Sequence, residues 1–219
     1  MDFKAGAILL VDKPKEWSSF DVVRKIRNKI GAKIGHGGTL DPLATGLMIM
    51  ATGAFTKKLN ELQDLPKEYT GMLYLGATTP SYDKETVIDQ EWDISGITEE
   101  DIYAAAKSLT GVIEQIPPIY SAIKVNGKPS YLLARKGQGK ELQARKQEIF
   151  DFEITKTELP LIHFRVYCSK GTYIRSLVHD FGKTLCVGAY LDELRRTKIG
   201  EYKIEDAWDL QELVEKLKS

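Results

Sequence analysis

The chain has 219 residues, 42% of them hydrophobic, which is enough to bury a sizeable core as one large domain or two small ones. Its longest apolar runs, 5–11 and 47–51, fall far short of a membrane span, and no signal-type segment opens it, so a cytoplasmic protein without a membrane partner is expected. Cys168 and Cys186 are the only cysteines, His36, His163 and His179 are scattered, and 31 basic side chains balance 31 acidic ones; a disulfide scaffold and a metal site are not expected, and the zero net charge by itself argues against nucleic acid.

Residues 7–14 (AILLVDKP) form a short apolar run stopped by Asp, Lys and Pro, and read as a buried strand entering a loop. A helix follows, with Ser18 or Ser19 as its cap, Asp21 in its first turn, Val22, Ile26 and Ile30 on one face and Gly31 as its stop. Beyond the glycine-rich 35–38 loop, the apolar stretch 43–51 leads into an amphipathic segment at 55–62. The alternation at 69–75 predicts a strand, with 86–92 as its partner, and Thr98 caps a helix ending at Gly111. Asn126-Gly127 signals a hairpin within 121–130, and 136–140 is a polar tip. Strands at 149–155 and 162–168, a helix over 173–185 and a last helix over 205–218 complete the chain. Strands and helices mix without strict alternation, which predicts a single α+β domain.

The charge is unevenly distributed. Residues 1–58 carry 10 basic and 5 acidic side chains, 59–119 carry 3 and 12, 120–200 carry 15 and 8, and 201–219 carry 3 and 6. Two basic segments flank an acidic one, and folding could join them into one face; a plain solvated surface is an equally good account of charge runs.

The segment 35–46, GHGGTLDPLATG, is the most informative. Its glycines permit unusual backbone angles or close approach, and Pro42 biases Asp41 toward an extended conformation, presenting a carboxylate on a stiff loop. From the residues alone, Asp41 also reads as the cap of a helix starting near Pro42. A P-loop fits less well, since no Gly-Lys-Ser/Thr follows.

With this segment in view, the chain resembles the bacterial tRNA pseudouridine-55 synthases of the TruB family. Four further stretches match in the same order: AILLVDKP with Trp17-Ser18-Ser19; KEYTGMLYLGATT at 67–79; PPIYSAIKVNGKPSYLLARKG at 117–137; and KGTYIRSL at 170–177 with LRRTKIG at 194–200. The resemblance implies a cofactor-free, metal-free isomerisation in which the uridine N1–C1′ bond breaks, the uracil turns, and C5 bonds to C1′. Asp41 matches the family's catalytic Asp, acting as nucleophile or as base. Arg175 matches the Arg that pairs with it, since a guanidinium favours an ionised carboxylate. Tyr69 matches the active-site Tyr that stacks on the flipped base, and Tyr173 lies near the uracil in relatives.

His36 looks like the ring that fills the gap left by the extruded nucleotide. Lys13, Lys124, Arg135, Lys136 and Lys170 fall in or beside the matching motifs and are candidate phosphate contacts. The resemblance also implies a mixed, largely antiparallel central sheet flanked by helices. The tail after Gly200 is short and net acidic. The family's C-terminal RNA-binding module is therefore expected to be absent, with the last helix packed on the catalytic domain. The expected partner is the T arm of tRNA, with no guide RNA and no obligate protein partner. Glu85 departs from the family's pattern, where a Gly usually follows this stretch's Asp. Rival readings are a non-catalytic tRNA-folding chaperone and a base glycosylase.

Overall fold

The computed structural model describes residues 2–217. Along the chain, β1 (Ile8–Lys13) leads to α1 (Ser19–Ile30), β2 (Ile34–His36) and β3 (Thr45–Thr52). A 3₁₀ turn (Gly53–Lys58) and α2 (Leu59–Asp64) precede β4 (Lys67–Leu75), then β5 (Ala77–Thr78), β6 (Gln90–Glu91), α3 (Glu99–Ser108) and β7 (Gly111–Gln115). A hairpin of β8 (Lys124–Val125) and β9 (Lys128–Pro129) runs into α4 (Ser130–Ala134), followed by β10 (Arg145–Glu158), β11 (Leu161–Cys168) and α5 (Ile174–Thr184). The chain continues through β12 (Ala189–Ile199), β13 (Tyr202–Lys203), a 3₁₀ turn (Ile204–Asp206), β14 (Trp208–Asp209) and α6 (Leu210–Lys216).

These elements divide into two compact units. The first holds the residues up to Thr70 and those from Glu193 onward. Here β1 pairs antiparallel with β3 and parallel with β14, β2 pairs antiparallel with β3, and β12 pairs parallel with β3. One of its core clusters joins Leu47, Ile49, Leu62 and Ile199, with Ile8, Leu10 and Leu59 packed against it. The second unit runs from Gly71 to Asp192. There β10 pairs antiparallel with β7 and β11, and α3 packs on β10 and α5. Phe152 meets Phe164 edge-on at 5.9 Å and Phe181 at 5.8 Å. Burying such rings contributes about 1.5–3 kcal/mol each. The strands are mixed and mostly antiparallel, the α+β class expected.

The helices with complete local signals start where the sequence put them, although α3 stops at Ser108 and its expected stop, Gly111, opens β7 instead. Ser18 accepts from the Asp21 amide while Asp21 accepts from the Ser18 amide, and Gly31 ends α1 at φ +57°, a left-handed stop that suits glycine. Thr98 and Asp101 form the same reciprocal cap on α3. Asn126 and Gly127 both have positive φ (51° and 80°) in the β8–β9 hairpin.

Three expectations need correction. The 86–92 stretch does not pair with β4; only Gln90–Glu91 is a strand, and its partner is β5. Val87 is 85% exposed and Asp89 is held by the Thr78 hydroxyl, so this alternation buries no apolar face. The last helix starts at Leu210, not 205, because Trp208–Asp209 pairs with Val11–Asp12 and the Asp209 carboxylate then caps α6; the predicted end at Lys218 lies outside the described residues. Pro42 begins no helix either. The Ala44 amide bonds the Asp41 carbonyl at 3.1 Å, a turn that runs straight into β3.

Candidate functional site

Asp41 is half-buried in the 37–44 loop between β2 and β3. The loop is fastened on both flanks of Asp41. Before it, the buried Ser19 hydroxyl takes the Leu40 amide at 2.9 Å and donates to the Leu40 carbonyl at 3.0 Å. After it, the Pro42 carbonyl accepts from the Glu16 amide at 2.8 Å and from Lys13 Nζ at 3.2 Å. Arg196, 1% exposed, donates from Nε to the Leu47 carbonyl at 2.7 Å and from Nη2 to the Gly38 carbonyl at 3.3 Å.

Gly46, at φ +107°, lies where any Cβ would be 2.3 Å from the Arg196 carbonyl oxygen, so only glycine lets β3 approach β12 this closely.

Lys13 and Arg196 make the surroundings of Asp41 electropositive. Burial brings Lys13 down to about 8, opposed by the Asp41 carboxylate and reinforced by Arg196. Lys13 is fully buried, and its ammonium donates to the carbonyls of Pro14, Trp17 and Pro42. Three carbonyls use all three ammonium donors. The expected phosphate contact is thus corrected, because Lys13 holds the loop. His36 ends β2, and burial lowers its pKa, with Arg196 acting in the same sense and a bond to the Gly38 backbone in the other. A neutral imidazole beside the loop follows. The first unit therefore gathers Lys13, His36 and Asp41, with Ser19 and Arg196, around one loop.

Tyr69 lies on the buried face of β4 at 8% exposure. Its neighbour Glu68 faces the other way and bonds Thr197 at 2.9 Å and Lys198 at 3.3 Å.

In the second unit, Arg175 opens α5 and is 5% exposed. Its guanidinium donates to the Tyr120 carbonyl at 2.9 Å and the Ser81 carbonyl at 3.2 Å, and pairs with Asp83 at 3.4 Å. Tyr173 is the N-cap of α5. Its amide donates to Gln115 Oε1 at 2.8 Å, and Gln115 Nε2 returns a bond to its carbonyl at 3.1 Å, so a buried glutamine fixes where α5 begins. Lys170 is exposed on the turn before α5, and Lys124 and Lys136 are exposed around the hairpin and α4. Arg135 pairs with Glu85 at 2.6 Å and lies over the Tyr131 ring.

Gln115, Asp83 and Arg196 escaped the sequence reading, and Ser19 entered it only as a candidate helix cap and part of a matching stretch. Each acts through partners 21 to 158 residues away, at positions where a polar residue looks ordinary. Among the described residues no group of three or more His, Cys, Asp or Glu side chains could hold a metal ion, and no helix is long and apolar enough to cross a membrane.

A family profile described as TruB family pseudouridylate synthase (N-terminal domain) matches residues 24–174. One described as tRNA pseudouridylate synthase B C-terminal domain matches 175–219. A tRNA pseudouridine synthase B from Flavobacterium johnsoniae is 54% identical over 217 residues, covering 95% of each chain. The protein of the same name from Phocaeicola vulgatus is 49% identical, covering 98% of this chain and 94% of its own. Among solved structures, an H/ACA RNP bound to a substrate RNA containing 2′-deoxyuridine includes a chain with a TM-score of 0.73 at 28% identity. A Cbf5–Nop10–Gar1 complex includes one with a TM-score of 0.75 at 30% identity. Each comparison covers 98% of this chain but only about half of the other, 54% and 55%.

Proposed function

Because the chain belongs to the TruB family of pseudouridylate synthases, we propose that it isomerises the T-loop uridine at position 55 of tRNA, with Asp41 as the catalytic carboxylate. Isomerisation of uridine in tRNA is the activity of the relatives that match it over nearly their whole length. The observation that supports the assignment to Asp41 is the loop itself, whose backbone is tied down at Leu40 by Ser19 and at Pro42 by Lys13, in an electropositive setting. Such fixed geometry is what a reaction without a mobile cofactor needs from its protein.

In this reading the target nucleotide leaves the loop stack and His36 fills the gap. Asp41 acts on the sugar or base as the N1–C1′ bond breaks, the freed uracil turns, and C5 bonds to C1′; Tyr69 and Tyr173 each match a family tyrosine assigned to the base. The proton lost from C5 is balanced by the one gained at N1. Arg175, the match to the family's arginine, is assigned a part in the reaction, and Lys124, Arg135, Lys136 and Lys170 meet phosphates of the T arm. The chain works in the cytoplasm, without guide RNA or an obligate protein partner.

The test is incubation of the purified protein with unmodified tRNA and no added cofactor, followed by mapping at single-nucleotide resolution. One pseudouridine in the T loop with unchanged RNA mass is expected, and Asp41→Asn should abolish it while tRNA binding persists. Product formation by Asp41→Asn, release of free base, or binding without any product would each overturn the reading.

A further inference from the structure

Tyr82 adopts φ +62°, a left-handed conformation that is uncommon for a bulky aromatic and needs its surroundings to hold it. It sits directly before Asp83, the carboxylate paired with Arg175. Any relaxation at residue 82 rotates the following peptide and swings that carboxylate.

The loop around it is tied internally. The Tyr82 amide bonds the Thr79 carbonyl at 3.1 Å, and Thr79 Oγ1 donates to the Asp83 carbonyl at 2.7 Å. Asp83 Oδ1 accepts from Ser81 Oγ at 2.6 Å and from the Glu85 amide at 2.9 Å, while Oδ2 faces Arg175 at 3.4 Å.

What fixes this loop against α5 comes from one face of that helix. Arg175 donates to the Ser81 carbonyl. One turn later, at i+4, the His179 ring stacks on Tyr82 with centroids 3.9 Å apart and planes 13° from parallel.

Hydrogen bonding at Nδ1 does not explain the place of His179. Its buried Nδ1 has no hydrogen-bond partner among the described residues. Burial brings the ring's pKa down to about 4, with Lys183 acting in the same sense. It is therefore a flat neutral ring at working pH, and its ordered contact is the face it offers Tyr82.

We propose that the Tyr82–His179 stack is a positioning clamp, holding residue 82 left-handed so that Asp83 and Arg175 keep the geometry catalysis requires. The inference rests on the reading that Arg175 takes part in the reaction. Neither ring touches the substrate in this account; both act through the Asp83–Arg175 pair.

The experiment measures kcat and KM for pseudouridine formation on unmodified tRNA by the full chain, alongside thermal unfolding. His179→Ala and Tyr82→Leu should each lower kcat on the order of 10- to 100-fold with little change in KM. His179→Phe, which restores a flat ring, should recover most of the loss. The double variant Tyr82→Leu/His179→Ala should be no slower than the worse single variant, since both break one contact. Full kcat in both single variants would overturn the clamp, as would a His179→Phe variant as slow as His179→Ala or simple multiplication of the two losses. Should His179→Ala fail to fold, the comparison of Tyr82→Leu with His179→Phe decides alone. An active wild type, abolished by Asp41→Asn but untouched by these changes, sinks the clamp and leaves the catalytic reading standing. A wild type that makes no pseudouridine overturns both.

Discussion

Ser19 shows how one hydroxyl can fix a loop to which it does not belong. It donates to and accepts from the backbone of Leu40, the residue before Asp41. Ser19→Ala would leave a buried amide without its acceptor, at a cost of about 1–3 kcal/mol. The expected outcome in urea unfolding is a loss of that size, together with a lower kcat and unaltered tRNA affinity. The role assigned to Asp41 was legible only through resemblance, since Asp-Pro alone suggests a helix cap and the structure has a turn there. Lys13 misled for a related reason. A lysine in a motif suggests phosphate, and nothing local announces three waiting carbonyls.

Among the elements, α5 carries Arg175, His179 and Asp180, and the last two have opposite pH signatures. His179 titrates at about 4 in the folded chain against an ordinary value near 6.5. Between those values the unfolded chain binds the extra proton, so this residue makes stability rise with pH. Asp180 is pushed up to about 6 by burial, opposed by Lys183, from its ordinary 3.8. Between those values the folded chain holds the extra proton, so this residue makes stability fall with pH. The neighbours largely offset one another from pH 4 to 6. Asp180→Asn should therefore steepen the rise of the thermal midpoint with pH relative to wild type, and His179→Phe should flatten or reverse it; parallel curves for all three would refute the assignment.

The elements the sequence announced are those with local punctuation, such as α1 between Ser18 and Gly31. β12 went unannounced because its middle, Asp192 to Arg196, is densely charged, and Arg196 is buried with carbonyls supplied by β3 and by the 37–44 loop. β7 was missed likewise; its partner lies some thirty residues further on.

For the whole molecule, affinity for tRNA has to come from local basic surface, since 31 basic and 31 acidic side chains cancel. Raising salt from about 50 to about 200 mM should weaken binding on the order of 10³-fold if six or so phosphates are contacted. Lys124→Ala and Lys136→Ala should raise KM, flatten that salt dependence and spare kcat; salt-independent binding in a filter assay would rule out a phosphate-tracking surface. The fastening of the Asp41 loop by Arg196 has a consequence for the order of events in synthesis. The loop is translated early, yet the guanidinium that bonds Gly38 lies 158 residues downstream. Contacts of such separation form late, after the intervening chain has closed. A nascent chain still missing β12 would hold Asp41 on a loop fastened by Ser19, Glu16 and Lys13 but lacking its Arg196 tie, so the loop reaches its full set of bonds only once β12 has been made.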